Sequence, residues 1–202
     1  MKKIILFLIP AACIAIMSFS SYSEVLPIGS KIPNPTLQMK NIDGKNISFQ
    51  DATLKNGIMV MFSCNTCPWV IKNQSRTNEI SKYALDNHIG VMLLNPNEAQ
   101  RSSDDSYDAM KKYANAQGYE WNYAIDKNSI MADAFGANKT PEIYLFNNAG
   151  TLVYHGAIDD NPSSADEVNR KHLKIAMDEM LQAKDVTIKE TKSVGCTIKR
   201  IK

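Results

Sequence analysis

A chain of 202 residues has the length of one domain with extensions, long enough to bury a core without help from disulfides. Its 44% hydrophobic and 22% charged residues are those of an ordinary globular protein. The formal net charge of +2 includes Lys2 and Lys3; without them basic and acidic residues balance, which leaves no basic stripe for nucleic acid and no strong field to steer charged ligands.

Residues 1–23 read as a signal peptide. Lys2 and Lys3 make a positive start, Ile4 to Met17 an apolar stretch, and small Ser21 and Ser23 precede a cut after Ser23. The apolar run is short of the ~20 residues that a membrane span needs. Acylation of Cys13 is the weaker alternative, because Pro10-Ala11-Ala12 lacks the large aliphatic residue expected three places before a lipoprotein cysteine. The expected location is periplasmic or extracellular, with membrane contact only if the segment is lipidated or uncleaved. Disulfides persist in such compartments. Cys64, Cys67 and Cys196 then remain, and an odd number leaves a free thiol or a third redox partner.

The domain itself is expected over residues 24–184. Residues 24–40 are Pro-rich and irregular. Asp43-Gly44, flanked by alternating Leu37/Met39 and Ile47/Phe49, predicts a β-hairpin. Gly57 to Phe62 is a short apolar run suited to a strand covered on both faces. Helical spacing follows from the CxxC to about His88, and Val91 to Leu94 is a second buried strand. Asp104 or Asp105 is placed to cap a helix ending at Gly118. A short strand over Trp121–Ile125 and a short helix over Ser129–Phe135 come next. Glu142–Phe146 and Leu152–Tyr154 form a hairpin, and a last helix starts at Ser163 or Ser164. Residues 185–202 are a basic tail containing Cys196. Strands alternating with helices, then a closing hairpin and helix, predict an α/β layered fold with a mixed sheet.

Cys64-Asn65-Thr66-Cys67 lies where a buried strand gives way to a helix. Taken alone it fits a redox pair, half of a metal site or a structural staple. A zinc site would need Cys196 and one of His88, His155 or His172, which are scattered singly. A staple would close too short a loop to stabilise much. The first turn of a helix carries unpaired N–H groups and the positive end of the dipole, which lower a thiol's pKa. On that reading Cys64 is an exposed nucleophile that attacks a substrate disulfide, and Cys67, one turn inside the helix, resolves the mixed disulfide. Asp159-Asp160 reads as a turn, and the histidines as surface or packing residues.

Three features together resemble the thioredoxin-like superfamily: strand-CxxC-helix in GIMVMFSCNTCPWV, Thr140-Pro141 at the start of a strand, and the order of elements around them. The resemblance implies a thioredoxin-like mixed sheet flanked by helices with an N-terminal β-hairpin extension, and a cis Thr140-Pro141 that shapes a substrate groove. The opening IGSKIPNPTLQMKNIDGKNISFQDATLKNG resembles the redoxin branch, the AhpC/TSA-like and TlpA/ResA-like thiol oxidoreductases. Cys64-Asn65-Thr66-Cys67-Pro68, Gly156-Ala157-Ile158-Asp159-Asp160 and Gly195-Cys196-Thr197-Ile198-Lys199 are similar to segments of uncharacterised redoxin proteins. The implied function is a thiol-disulfide oxidoreductase without a cofactor. It would exchange disulfides with protein or small-thiol partners and draw on an unidentified reductant or oxidant, with Cys196 as a possible additional redox cysteine. The alternatives are a thiol-dependent peroxidase of the AhpC/TSA type and a non-enzymatic thiol- or metal-binding module. The peroxidase pattern Pro-x-x-x-Thr/Ser-x-x-Cys is missing: Gly57 and Val60 stand where prolines would precede Cys64 and Cys67.

Overall fold

The computed structural model describes residues 24–201, so the expected signal peptide and Cys13 lie outside the described residues. In chain order the elements are β1 (Met39–Lys40), β2 (Asn46–Ile47), α1 (Phe49–Ala52), β3 (Ile58–Phe62), α2 (Pro68–Lys72), α3 (Gln74–Asp86), β4 (Gly90–Asn95), α4 (Tyr107–Gln117), β5 (Asn122–Ile125), α5 (Ile130–Phe135), β6 (Lys139–Thr140), β7 (Glu142–Phe146), β8 (Leu152–Gly156), α6 (His172–Leu181) and β9 (Cys196–Thr197). Five strands form the central sheet in the order β5-β4-β3-β7-β8. β3, β4 and β5 run parallel, whereas β7 and β8 are antiparallel to their neighbours. β1 pairs with β2 as the N-terminal hairpin, shorter than the alternation suggests because Phe49 turns into α1.

The apolar run of β3 is buried at every residue, as expected of a central strand covered on both faces. Its side chains alternate. Met59 and Met61 join Ile80, Leu93, Leu145, Leu173 and Met177 on one face. Ile58, Val60 and Phe62 join Phe135, Tyr144 and Phe146 on the other. Phe135 meets Phe62, Tyr144 and Phe146 edge-on at 5.0–5.8 Å between ring centroids, a favoured aromatic geometry.

Three local expectations are corrected. The segment after the CxxC is two helices, split at Asn73, whose side-chain amide donates back to Trp69 O at 2.7 Å. α4 is capped by Ser106, whose hydroxyl accepts the Ala109 N–H, so neither Asp104 nor Asp105 is the cap; Asp105 turns inward and is fully buried. The last helix starts at His172, not at Ser163 or Ser164. The residues before it are held in a loop by Arg76, whose guanidinium donates to both Asp159 carboxylate oxygens (2.9 and 2.7 Å), to Asn161 O (2.7 Å) and to Pro162 O (3.2 Å). Asp159 also accepts the Asn161 N–H, so the loop's own polar groups compete with helix formation.

The basic tail is ordered against the domain. Val186 enters the first core cluster. The His155 N–H donates to Lys189 O and the Thr191 N–H to His155 O, so the tail runs along the free edge of β8. Gly156 permits this contact: with φ +145° and Thr191 Oγ1 2.1 Å from where a Cβ would stand, no other residue fits. The tail then crosses the end of the sheet, where β9 pairs antiparallel with β6.

Two outcomes follow for stability. Arg76→Leu strands the Asp159 carboxylate in the interior, and urea unfolding should show a loss of about 3–5 kcal/mol. Adding Asp159→Asn should recover part of that loss; full additivity of the two losses would mean that the residues do not act as a pair. Separately, Asp126 is buried at the start of α5, where it accepts the Met131 and Ala132 N–H groups at 2.8 Å. Burial outweighs those bonds and pushes its carboxyl up to about 6. The folded chain therefore holds that proton more tightly than the unfolded one. The contribution is full below the ordinary 3.8 and is lost as pH rises through about 6. Relative to Asp126→Asn, wild-type stability should fall by ~2–3 kcal/mol between pH 3.5 and 7 in denaturant titrations. A parallel pair of curves would refute the assignment.

Candidate active site

β3 ends at Phe62, and Ser63 extends the parallel ladder by donating its N–H to Leu94 O at 2.8 Å. Cys64 to Thr66 then form the connection to α2. Cys67 is the N-cap and Pro68 the first helical residue, where a missing N–H costs nothing. The expectation of Cys67 one turn inside the helix is therefore corrected: both cysteines precede the helix.

The peptide bond between Thr140 and Pro141 is cis. Thr140 faces the CxxC loop and meets both of its sulfurs. Its hydroxyl is 3.3 Å from Cys64 Sγ, and its carbonyl oxygen is 3.2 Å from Cys67 Sγ. Cys196, opposite Thr140 in the β6–β9 pairing, completes the cluster. Cys67 and Cys196 are joined in a disulfide with Cα atoms 6.1 Å apart, and Cys64 is a free, buried thiol. While Cys67 is so bonded it has no proton to give, so its contact with the Thr140 carbonyl becomes a hydrogen bond only in the thiol state. The sequence-predicted site residues Cys64, Cys67, Thr140, Pro141 and Cys196 thus converge on one place.

The state of Cys64 differs from the expectation of an exposed, acidic thiol. It is 1% exposed and belongs to a small buried cluster with Cys67 and Val70, against which Trp69 and Cys196 pack. Burial pushes its pKa up. The Thr140 hydroxyl opposes this, the Asp105 charge adds to it, and the Cys67 and Thr66 N–H groups favour the thiolate weakly. Backbone donors stand beside Cys64, but they come from the loop and N-cap before α2, and desolvation overrides them.

Two supporting networks were not evident from the sequence. Asp105 accepts the Asn65 N–H (3.0 Å), the Asn95 side-chain amide (2.7 Å) and the Asn97 side-chain amide (2.9 Å). Tyr123 donates its hydroxyl to Asn65 Oδ1 at 2.9 Å. Asn65, between the two cysteines, is thereby a fixed strut. The second network holds the Thr140 loop. Glu142 accepts the Asn138 and Lys139 N–H groups at 2.9 and 3.0 Å and bonds His155 Nε2 at 2.8 Å. Burial pushes the Glu142 carboxyl up, but the His155 and backbone bonds prevail and hold it below the usual range. An acidic residue straight after Pro141 in an otherwise apolar strand was the signal for this pair. Among the described residues no three His, Cys, Asp or Glu side chains are grouped to hold a metal ion. His88 is exposed and His172 half-buried.

Comparison with known proteins agrees with this geometry. The model of the AhpC/TSA family matches residues 28–155. The thiol-disulfide oxidoreductase ResA of Bacillus anthracis is 22% identical over 154 residues, which cover 75% of this chain and 83% of that protein. Among solved structures, an uncharacterized conserved protein from Geobacillus kaustophilus superposes with a TM-score of 0.80 at 30% identity, covering 87% of this chain and 93% of that one. A hypothetical protein from Sinorhizobium meliloti 1021 gives 0.78 at 27%, covering 89% and 97%. A putative protein disulfide isomerase from Bacteroides thetaiotaomicron, at 0.57 and 15% identity over 78% and 92% of the two chains, shares the fold. With three sulfurs gathered at the end of a thioredoxin-like sheet, the chain belongs to the AhpC/TSA family and is a redoxin-type oxidoreductase.

Proposed function

We propose that the protein is an exported thiol-disulfide oxidoreductase, with Cys64 as the attacking thiol and Cys67 as the cysteine that resolves. The observation that carries this reading is the free Cys64 thiol held by Thr140 beside a disulfide-bonded Cys67 that touches the same residue. In the reduced protein, the Cys64 thiolate attacks one sulfur of a partner disulfide. A Cys64–partner disulfide forms, the partner bond breaks, and the departing sulfur leaves as a thiolate that takes a proton. The Cys67 thiolate then attacks Cys64 Sγ, the Cys64–Cys67 bond forms, and the partner leaves as a dithiol. Two electrons pass from the cysteine pair to the partner, and run backwards when the partner is the reductant. Asn65, locked by Asp105 and Tyr123, fixes the loop between the two sulfurs; the Glu142–His155 pair fixes the Thr140 loop facing them. The resemblance to proteins named thiol-disulfide oxidoreductase supports the same partner class, and the features of residues 1–23 support export.

Disulfide exchange on a protein substrate such as insulin, driven by a small dithiol, should depend on both cysteines. Cys64→Ser and Cys67→Ser should each lower the rate at least ~100-fold, because a hydroxyl cannot replace the thiolate nucleophile. Full activity of Cys64→Ser, or Cys64-dependent peroxide consumption without any disulfide exchange, would refute the reading. The equilibrium potential of the reduced chain then gives the direction: a value near about −270 mV suits a reductant and one near about −120 mV an oxidant.

A further inference from the structure

The edge of the site is not open. β9 lies along β6, with Cys196 opposite Thr140 and Thr197 opposite Lys139. An extended strand added to an exposed backbone edge is a general way to bind a peptide, with the backbone giving affinity and alternate side chains giving specificity. Here the peptide is the chain's own tail. Its contacts have the character of a bound segment. Ile198 is 4% exposed in the second core cluster, and its N–H donates to Asn138 O at 3.0 Å. The Lys199 N–H donates to Asn97 Oδ1, and Arg200 pairs with Asp133 and with Ala137 O, each at 2.7 Å. Thr197, between the half-buried Cys196 and the buried Ile198, is exposed.

Gly195, just before the cysteine, is dictated by the groove. A Cβ there would stand 2.4 Å from Thr140 O and 2.7 Å from Thr140 C. Those are backbone atoms of the loop held by Glu142, so they cannot move aside as a flexible side chain would.

We infer that residues 195–199 occupy the partner groove as a tethered, redox-latched segment, and that the partner of the open groove is an extended protein segment with glycine before its cysteine and an aliphatic residue two places after it. This rests on the thiol-disulfide reading of the same site. The latch opens without any outside reagent. The Cys64 thiolate attacks Cys67 Sγ; the Cys64–Cys67 bond forms and the Cys67–Cys196 bond breaks. Cys196 leaves as a thiolate and takes up the proton that Cys64 gave away. The number of disulfides is unchanged. The tail is then held only by its strand pairing and by Ile198, Lys199 and Arg200, and a partner segment can displace it. The reverse step closes the latch.

Disulfide mapping by peptide mass on the oxidised full-length chain should find Cys67–Cys196 in wild type and Cys64–Cys67 in Gly195→Ala. The affinity of the groove is read separately. The full-length Cys196→Ser chain, with Ile198→Asp to free the groove of its own tail, is oxidised to Cys64–Cys67 and mixed with a synthetic peptide thiol of residues 192–201, and the rate of mixed-disulfide formation is measured. The parent peptide should react at least tenfold faster than versions carrying Gly195→Ala or Ile198→Asp, and than glutathione. Equal rates for all four thiols, or Cys64–Cys67 as the disulfide of oxidised wild type, would overturn the inference. Either result would leave the Cys64 dependence of insulin exchange standing, so failure of the latch is distinguishable from failure of the proposed function.

Discussion

Thr140 is the point on which the site depends. One residue offers its hydroxyl to Cys64, its carbonyl to Cys67 and its backbone edge to the strand that carries Cys196. For that to work, Thr140 must be fixed relative to the end of β3. The central sheet does this directly: β3 and β7 are hydrogen-bonded neighbours, with Phe62 opposite Glu142, so the loops at their adjoining ends face each other. The buried Glu142–His155 pair refines the position by gathering the Asn138 and Lys139 N–H groups. A buried polar pair is poor evidence for stability in itself, because desolvation offsets its attraction. Its use here is geometric: it orients a loop that would otherwise leave unpaired backbone donors in the interior.

The same crowding explains the chemistry of the latched state. Cys64 has the Thr66 and Cys67 N–H groups to stabilise a thiolate, yet it is buried in a cluster with Cys67 and Val70, and burial raises its pKa. A dry, protonated thiol is a weak nucleophile. Cys196 packs against that cluster, so loss of the docked tail opens the cluster to water while the N–H groups of Thr66 and Cys67 stay in place. The balance between desolvation and hydrogen bonding then moves towards the thiolate.

Much of this was legible in the sequence, for a physical reason in each case. β3 and β4 are continuous apolar runs of strand length, and the hairpin of β7 and β8 is marked by Asn147 to Gly150. Cys64, Cys67 and Thr140-Pro141 are local motifs, so their meeting could be expected from the fold that they imply. What escaped is what depends on long-range pairing. Asp105 has the local pattern of a helix cap, but its carboxylate is needed by Asn65, Asn95 and Asn97, and Ser106 takes the cap. Ser163 and Ser164 have the pattern of a helix start, but Arg76, in a helix far back in the chain, holds Asn161 and Pro162 in a loop. The exposed Cys64 was a sound expectation for the CxxC alone; Cys196, which packs against its cluster, is distant in sequence.

The partner that Cys67 chooses reports on the tail. In an unfolded chain, joining Cys64 to Cys67 closes a very short loop, whereas joining Cys67 to Cys196 spans a sequence separation of 129. Chain entropy makes the long closure the harder one by ~3 kcal/mol, since its cost grows with the logarithm of loop length. The described state nonetheless has the long one. Only the folded chain can reverse the preference, by holding Cys196 opposite Thr140 through the strand pairing, the buried Ile198 and the Arg200–Asp133 pair. By thermodynamic linkage, whatever stabilises the docked tail stabilises the Cys67–Cys196 bond by the same amount, and whatever competes for the groove weakens it. A partner segment that binds the groove therefore biases the exchange towards Cys64–Cys67, and presents the reactive pair to itself by the act of binding.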